Sequence, residues 1–131
     1  MNLSSLLLSA SLLFSLSAAA QQTKAVDSAK IFTYIDELPR PSYNLNEYLG
    51  ANIHYPDSAR AHDIEGRVMI KFVVNKKGKI TQCTVLRGIG WGCDEEALRV
   101  VSGMPPWTPG KKDGKHVSVY FTLPISFKLE D

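Results

Sequence analysis

The side chains able to do acid–base chemistry are few. His54, His62 and His116, with Asp57, Asp63 and Asp113, are the residues from which a proton-transfer pair could be built. Each falls where the surrounding sequence reads as a loop or a helix end, so solvated polar positions account for them without a catalytic role. Cys83 and Cys93 are the two cysteines, and with three scattered histidines they do not reach a metal-ligand spacing. Cys83 lies within a strand pattern and Cys93 just ahead of a helical one. Nothing fixes their Cα separation, so two small buried apolar side chains are expected in preference to a disulfide. Gly88-Ile89-Gly90-Trp91-Gly92 precedes a helix, as phosphate-cradling loops do. Its spacing is nevertheless G-x-G-x-G, no Lys-Ser or Lys-Thr follows, and Asp94-Glu95-Glu96 stands where the anion would lie. Those acids suit a first helical turn with Asp94 as its N-cap. Adjacent helix residues do not face each other, so they are a poor catalytic dyad. The chain is expected not to be an enzyme, with no catalytic residues, no metal site and no cofactor.

A length of 131 residues allows one domain and a short targeting segment. A net charge of +2, with its basic residues scattered and Lys76, Lys77 and Lys79 in a turn, argues against nucleic acid as partner. Residues 1–20 have the form of a signal peptide: an apolar and serine stretch over Leu6–Leu16, then Ala18 and Ala20 in the small-x-small pattern of a cleavage site, with Gln21 as the new N-terminus. The expectation is a soluble, exported protein with the leader cleaved after Ala20. The alternative is an inner-membrane anchor over residues 3–20, which serines interrupt and no positive charge flanks. Residues 21–37 form a polar lead-in with a short strand over Lys30–Glu37, and 38–131 form the domain.

Leu38-Pro39-Arg40-Pro41 breaks any regular structure. Leu45–Ile53 has helical spacing behind Asn44 as N-cap, and Pro56–His62 is a second short helix. Arg67–Asn75 is the clearest strand, with Val68, Ile70, Phe72 and Val74 on one face. Asn75-Lys76-Lys77-Gly78 is a hairpin loop, and Lys79–Arg87 returns as its partner. Ile80, Cys83 and Val85 cannot share a face in a regular strand, so a bulge is expected near Thr81-Gln82. Ala97, Val100, Val101 and Met104 make one helical stripe, ended by Gly103 and Pro105-Pro106. Trp107 is expected in the core. Val117–Leu129 is the last strand, with its odd-numbered residues on one face and Pro124 inside it, and a proline there belongs on a sheet edge.

The helix between the return strand and the last one lets all three strands share a sheet. The expected fold is α+β, a two-layer sandwich. Its antiparallel three-stranded sheet, in the order return, first, last, is covered on one face by two helices. The last strand then has an open outer side. A long open edge is a template for a strand from another chain. The other readings are that Lys30–Glu37 covers it, or a second copy in a homodimer.

Tyr55-Pro56, Ala59, Ile64-Glu65-Gly66-Arg67-Val68, Phe72-Val73-Val74, Gly78-Lys79-Ile80, Asp94-Glu95-Glu96-Ala97-Leu98, Met104-Pro105, Trp107, Pro109-Gly110 and Pro124-Ile125-Ser126-Phe127 resemble the C-terminal domain of TonB, the energy transducer of Gram-negative outer-membrane transport. Glu37-Leu38-Pro39 and Tyr48-Leu49 resemble segments that precede that domain in Bacteroidetes-type members. The resemblance implies a periplasmic domain whose last strand pairs with the TonB box of a TonB-dependent outer-membrane transporter. Carried onto this chain, that edge is Val117, Ser118, Val119, Tyr120, Phe121, Thr122, Leu123, Pro124, Ile125, Ser126 and Phe127. Transducers of this kind also have a membrane helix that meets an ExbB/ExbD-type complex, and a long proline-rich spacer. Here about 35 residues separate Gln21 from Tyr55, a reach of at most roughly 120 Å. An ExbB/ExbD-type partner is therefore expected only if the leader stays uncleaved. The resemblance implies a stand-alone TonB-like binding domain supporting transport. An envelope- or peptidoglycan-binding or self-associating domain without energy transduction is the alternative.

Overall fold

In the computed structural model, which describes residues 31–32 and 35–130, the chain runs β1 (Arg40–Pro41), α1 (Leu45–Asn52), α2 (Asp57–Ala61), β2 (Gly66–Val74), β3 (Ile80–Arg87), α3 (Cys93–Ser102), β4 (Trp107–Thr108), β5 (Gly110–Lys112), β6 (Lys115–Val117) and β7 (Val119–Phe127). The leader over 1–20 and the lead-in up to residue 30 lie outside the described residues.

Alternation places β2 at the centre. Its inward side chains Val68, Ile70, Phe72 and Val74 are fully buried, and β3 and β7 flank it, both antiparallel. This is the α+β sheet order expected: return, first, last. Val73 is also buried, although it points to the other face; Thr81 and Tyr120 stand beside it in register. The helical cover is three segments where two were expected. The five-residue α2 sends Ala59 into the core, and α3 contributes Cys93, Ala97, Val101 and, just past its end, Met104. Burying side chains of this size stabilises by roughly 1.5–3 kcal/mol for each large aliphatic or aromatic one.

The α1 start is as its sequence requires: the Asn44 side chain accepts from the Glu47 N–H at 3.1 Å. Tyrosines lock α1 to the rest. Tyr48 donates to the Val100 carbonyl and Tyr43 to that of Pro105, while the Trp107 indole N–H donates to Tyr43 Oη. Trp107 is buried and packs edge-on against Phe72 and Phe121.

The strand expected as one piece over Val117–Leu129 is two. Asp113 and Gly114, both at positive φ, turn the chain so that β6 folds back on β5, and Val117 pairs with Gly110. Ser118 separates the two strands, and β7 stops at Phe127. Val117 and Val119 have the same parity, so alternation alone runs straight through this break.

Candidate functional site

β7 is an edge strand, and which of its backbone groups point away from β2 can be read from two observations. The Phe32 N–H donates to the Ser118 carbonyl at 2.9 Å, and Phe32 forms a parallel bridge to Val119. Such a bridge uses the outward groups of the residues flanking Val119, namely Ser118 and Tyr120. Outward direction repeats every second residue, so Thr122, Pro124 and Ser126 present theirs on the same side. Pro124 agrees independently, because a proline is tolerated where the ladder needs no donor. The same row carries the exposed side chains of the strand, Tyr120, Thr122, Pro124 and Ser126, while Val119, Leu123, Ile125 and Phe127 bury theirs on the other face.

The residues expected to form the edge therefore separate into groups. Val117 belongs to β6 and faces Gly110, away from this edge. The Ser118 carbonyl and the upper end of β7 are already met by Phe32. Val119, Phe121, Leu123, Ile125 and Phe127 carry the inward face and the register with β2. The outward groups below Phe32 are the Tyr120 carbonyl, both groups of Thr122 and Ser126, and the carbonyl of Pro124. Beside this lower half, Pro124, Ser126 and Phe127 meet Leu49 and Ile53 of the α1 region across a groove of about 600 Å³, with Arg60 and Lys128 on its walls. Residues 30–37 are the other cover expected for the edge. Of these, Phe32 reaches its top, whereas Asp36 and Glu37 pair with Lys111 of β5.

The other chemistry-bearing residues find structural partners. The glycine loop is closed from within: Asp94 sits in the first turn of α3 behind Gly92 as N-cap, and its Oδ1 accepts from the N–H groups of Ile89 at 2.8 Å and Gly90 at 3.1 Å. Asp94 is thus not the N-cap expected; it occupies the amides that an anion would need. A Cβ on Gly88 would lie 2.1 Å from the Asp94 carboxylate, so this closure requires glycine there. The loop also docks on α2, with Ser58 Oγ donating to the Trp91 carbonyl and His62 stacked on the Trp91 ring at 4.3 Å.

Burial, with Asp94 and Glu95 nearby, pushes the Cys93 thiol up from its ordinary value, which keeps it protonated and unreactive. Cys83 is half-buried; both cysteines are free. His54, His62 and His116 are exposed and lie on different elements, as do Asp57, Asp63 and Asp113. Among the described residues no group of three or more His, Cys, Asp or Glu side chains could hold a metal ion. No described helix is long and apolar enough to cross a membrane.

Comparison with known proteins fits this geometry. The family described as Gram-negative bacterial TonB protein C-terminal matches residues 51–129. Two solution structures of the Helicobacter pylori TonB C-terminal domain, which differ in length, are similar in fold. One aligns with a TM-score of 0.51 at 22% identity over 66% of this chain and 91% of that one. The other aligns with a TM-score of 0.50 at 22% identity over 66% of this chain and 78% of that one. At this identity the likeness concerns the fold. Comparison with curated protein sequences gives no match.

Proposed function

This chain belongs to the Gram-negative bacterial TonB protein C-terminal family, and from that premise we propose that it is a protein-interaction module. Its partner is the TonB box near the N-terminus of a TonB-dependent outer-membrane transporter, taken up as an added strand on β7. The observation that carries this reading is the outward row of backbone groups on Thr122, Pro124 and Ser126, next to the groove beside α1. Backbone pairing supplies affinity in this mode of recognition, and pockets for alternate side chains supply selectivity. No acid–base or nucleophilic machinery is needed, and the chain is a non-enzymatic part of the transport system.

The working place of such a module is the periplasm, with residues 1–20 as the export signal and 38–131 as the binding domain. If the leader is retained as an anchor, an ExbB/ExbD-type complex becomes a partner as well. Titration of the isotope-labelled chain with synthetic peptides copying transporter N-termini from the same cell tests the reading. Shifts centred on the amides of Tyr120, Thr122 and Ser126, absent with a scrambled peptide, are expected. Silence at millimolar peptide would sink it. Protection of the same amides with a doubled mass in sedimentation would point to self-association through this edge.

A further inference from the structure

We infer that Lys71 selects among the strands that β7 can accept, by pairing with an acidic side chain on the open face of the sheet. This rests on the strand-addition reading above and gives the partner its chemistry. Strands β2, β3 and β7 together carry Arg67, Lys71 and Arg87 and no acidic residue. Alternation puts Arg67 and Lys71 on the face of β2 opposite to the buried Val68, Ile70 and Phe72. Arg87 stands opposite Met69 in register, and cross-strand partners share a face, so it joins them. The three strands thus offer cations and no anion on their open face. The groove on the other side of β7 is mixed, with Arg60, Lys128 and Glu130 along it. No carboxylate among the described residues comes within ion-pair distance of Arg67, Lys71 or Arg87.

Of the three cations, Lys71 is the one aimed at the edge. It stands opposite Thr122, and its ammonium lies 4.2 Å from the ring centre of Tyr120. The side chain therefore leans over β7, away from β3, and the ring holds the charge there. Arg87 lies on β3, at the far side of the sheet. Arg67 is opposite Ser126, near the strand end where Glu65 accepts the Leu129 N–H at 3.2 Å and offsets its charge. A strand added to β7 sends alternate side chains to each face. The one that falls beside Thr122 on the open face meets the Lys71 ammonium, with only a short hydroxyl side chain between. An acidic residue there pairs with Lys71, and a basic one is repelled. Charge across an interface discriminates between partners more than it adds affinity. Backbone pairing thus admits many strands, and Lys71 sorts them.

The test uses the full chain and a synthetic peptide copying a transporter N-terminus, made with glutamate, glutamine or lysine at each position in turn. At one position glutamate should bind about two- to fivefold more tightly than glutamine, the scale of a solvent-exposed ion pair, and lysine more weakly than both. The preference should fade in about 1 M salt, where the screening length falls to about 3 Å. Lys71→Glu should invert the order at that position, and Lys71→Gln should flatten it. The peptide series probes the unmodified chain, so it decides whether a charge preference exists even if Lys71→Glu folds poorly, and Lys71→Gln then assigns it. The same ranking in the Lys71 variants as in the unmodified chain overturns the inference. So does the absence of any charge preference while shifts at the Thr122 and Ser126 amides report strand addition, which then stands alone. If no peptide shifts those amides, strand addition fails and the selection with it.

Discussion

The two edges of the sheet are built differently. β7 pairs with β2 through nine residues without a slip, from Gly66 opposite Phe127 to Val74 opposite Val119. β3 slips twice against β2, between Met69 and Ile70 and between Lys71 and Val73, and Gln82 sits at φ 53° within the second irregularity. Bulges re-aim backbone groups and break the even spacing that a pairing strand needs. They are one of the ways proteins blunt an exposed edge. β3 is thus interrupted along its length, although Val85 and Leu86 leave apolar surface there. β7 is regular, and among the described residues its upper end is met by Phe32 and one lower position lacks a donor at Pro124. Exposed apolar area marks β3, yet even backbone spacing marks β7, and strand addition depends on the second.

The strongest disturbance of this contrast acts on the hairpin that holds β3 in place. Gly78 has φ 85°, and a Cβ on it would lie 2.0 Å from the Trp107 carbonyl oxygen, while the Trp107 N–H donates to the Gly78 carbonyl at 2.8 Å. Gly78→Ala should destabilise by about 2–4 kcal/mol, combining backbone strain with a lost tie to a buried tryptophan. Urea unfolding measures it; a loss below about 0.5 kcal/mol, the range of an ordinary surface change, would mean the turn adapts freely.

Next in size is a test of β7 itself. If the Thr122 amide points outward, proline there leaves the pairing with β2 intact, as Pro124 does. Thr122→Pro should weaken peptide binding at least about tenfold, or 1.4 kcal/mol, with little change in stability. Val85→Lys on β3 should leave binding unchanged. Severe unfolding of Thr122→Pro would show that this amide faces β2, and the outward row would be misassigned. A smaller effect belongs to the β3 bulge. Gln82→Val, a β-branched residue forced to positive φ, should cost about 1–2 kcal/mol, whereas Gln82→Gly should be close to neutral. Equal behaviour of the two in thermal unfolding would remove the bulge from the account of β3.

Much of this architecture was legible because period-2 and period-3.6 patterns report directly on burial. Val68 to Val74 on β2, the stripe from Ala97 to Met104 and the bulge at Thr81-Gln82 follow from side-chain periodicity, and the edge position of Pro124 follows from its missing donor. What was not legible depends on contacts that leave no parity signal. Asp94 suited an N-cap equally well, and only the path of the preceding loop decides that it bonds Ile89 and Gly90 instead. The break at Ser118 preserves parity between Val117 and Val119. Phe32 meets Ser118 through backbone atoms across a long stretch of sequence, so neither residue type announces the contact.

The smallest effect separates the two halves of the sheet by pH. Glu96 accepts from both Arg99 Nε and Nη2 at 2.8 Å and from the His54 backbone N–H at 2.6 Å, and Arg99 also donates to the Asn52 carbonyl at 2.8 Å. The bond from Arg99 first, then that from His54, holds the Glu96 carboxyl below the usual glutamate range against the opposing effect of burial. A folded-state value below the unfolded one gives stability that is present above the unfolded value and is lost as pH falls through the folded one. The loss therefore sets in below about pH 4, the ordinary glutamate range. Arg99 is exposed, so the contribution is screened and small. Glu96→Gln should remove this part of the acid dependence. The network ties α3 to the Asn52–His54 link, and α3 packs on β3 and β2. Acid should accordingly speed amide exchange in β3 before β7, whose outward groups on Thr122, Pro124 and Ser126 do not titrate. If exchange instead rose first along β7, regular pairing would not be what secures that strand, and its suitability as a template would need another physical basis.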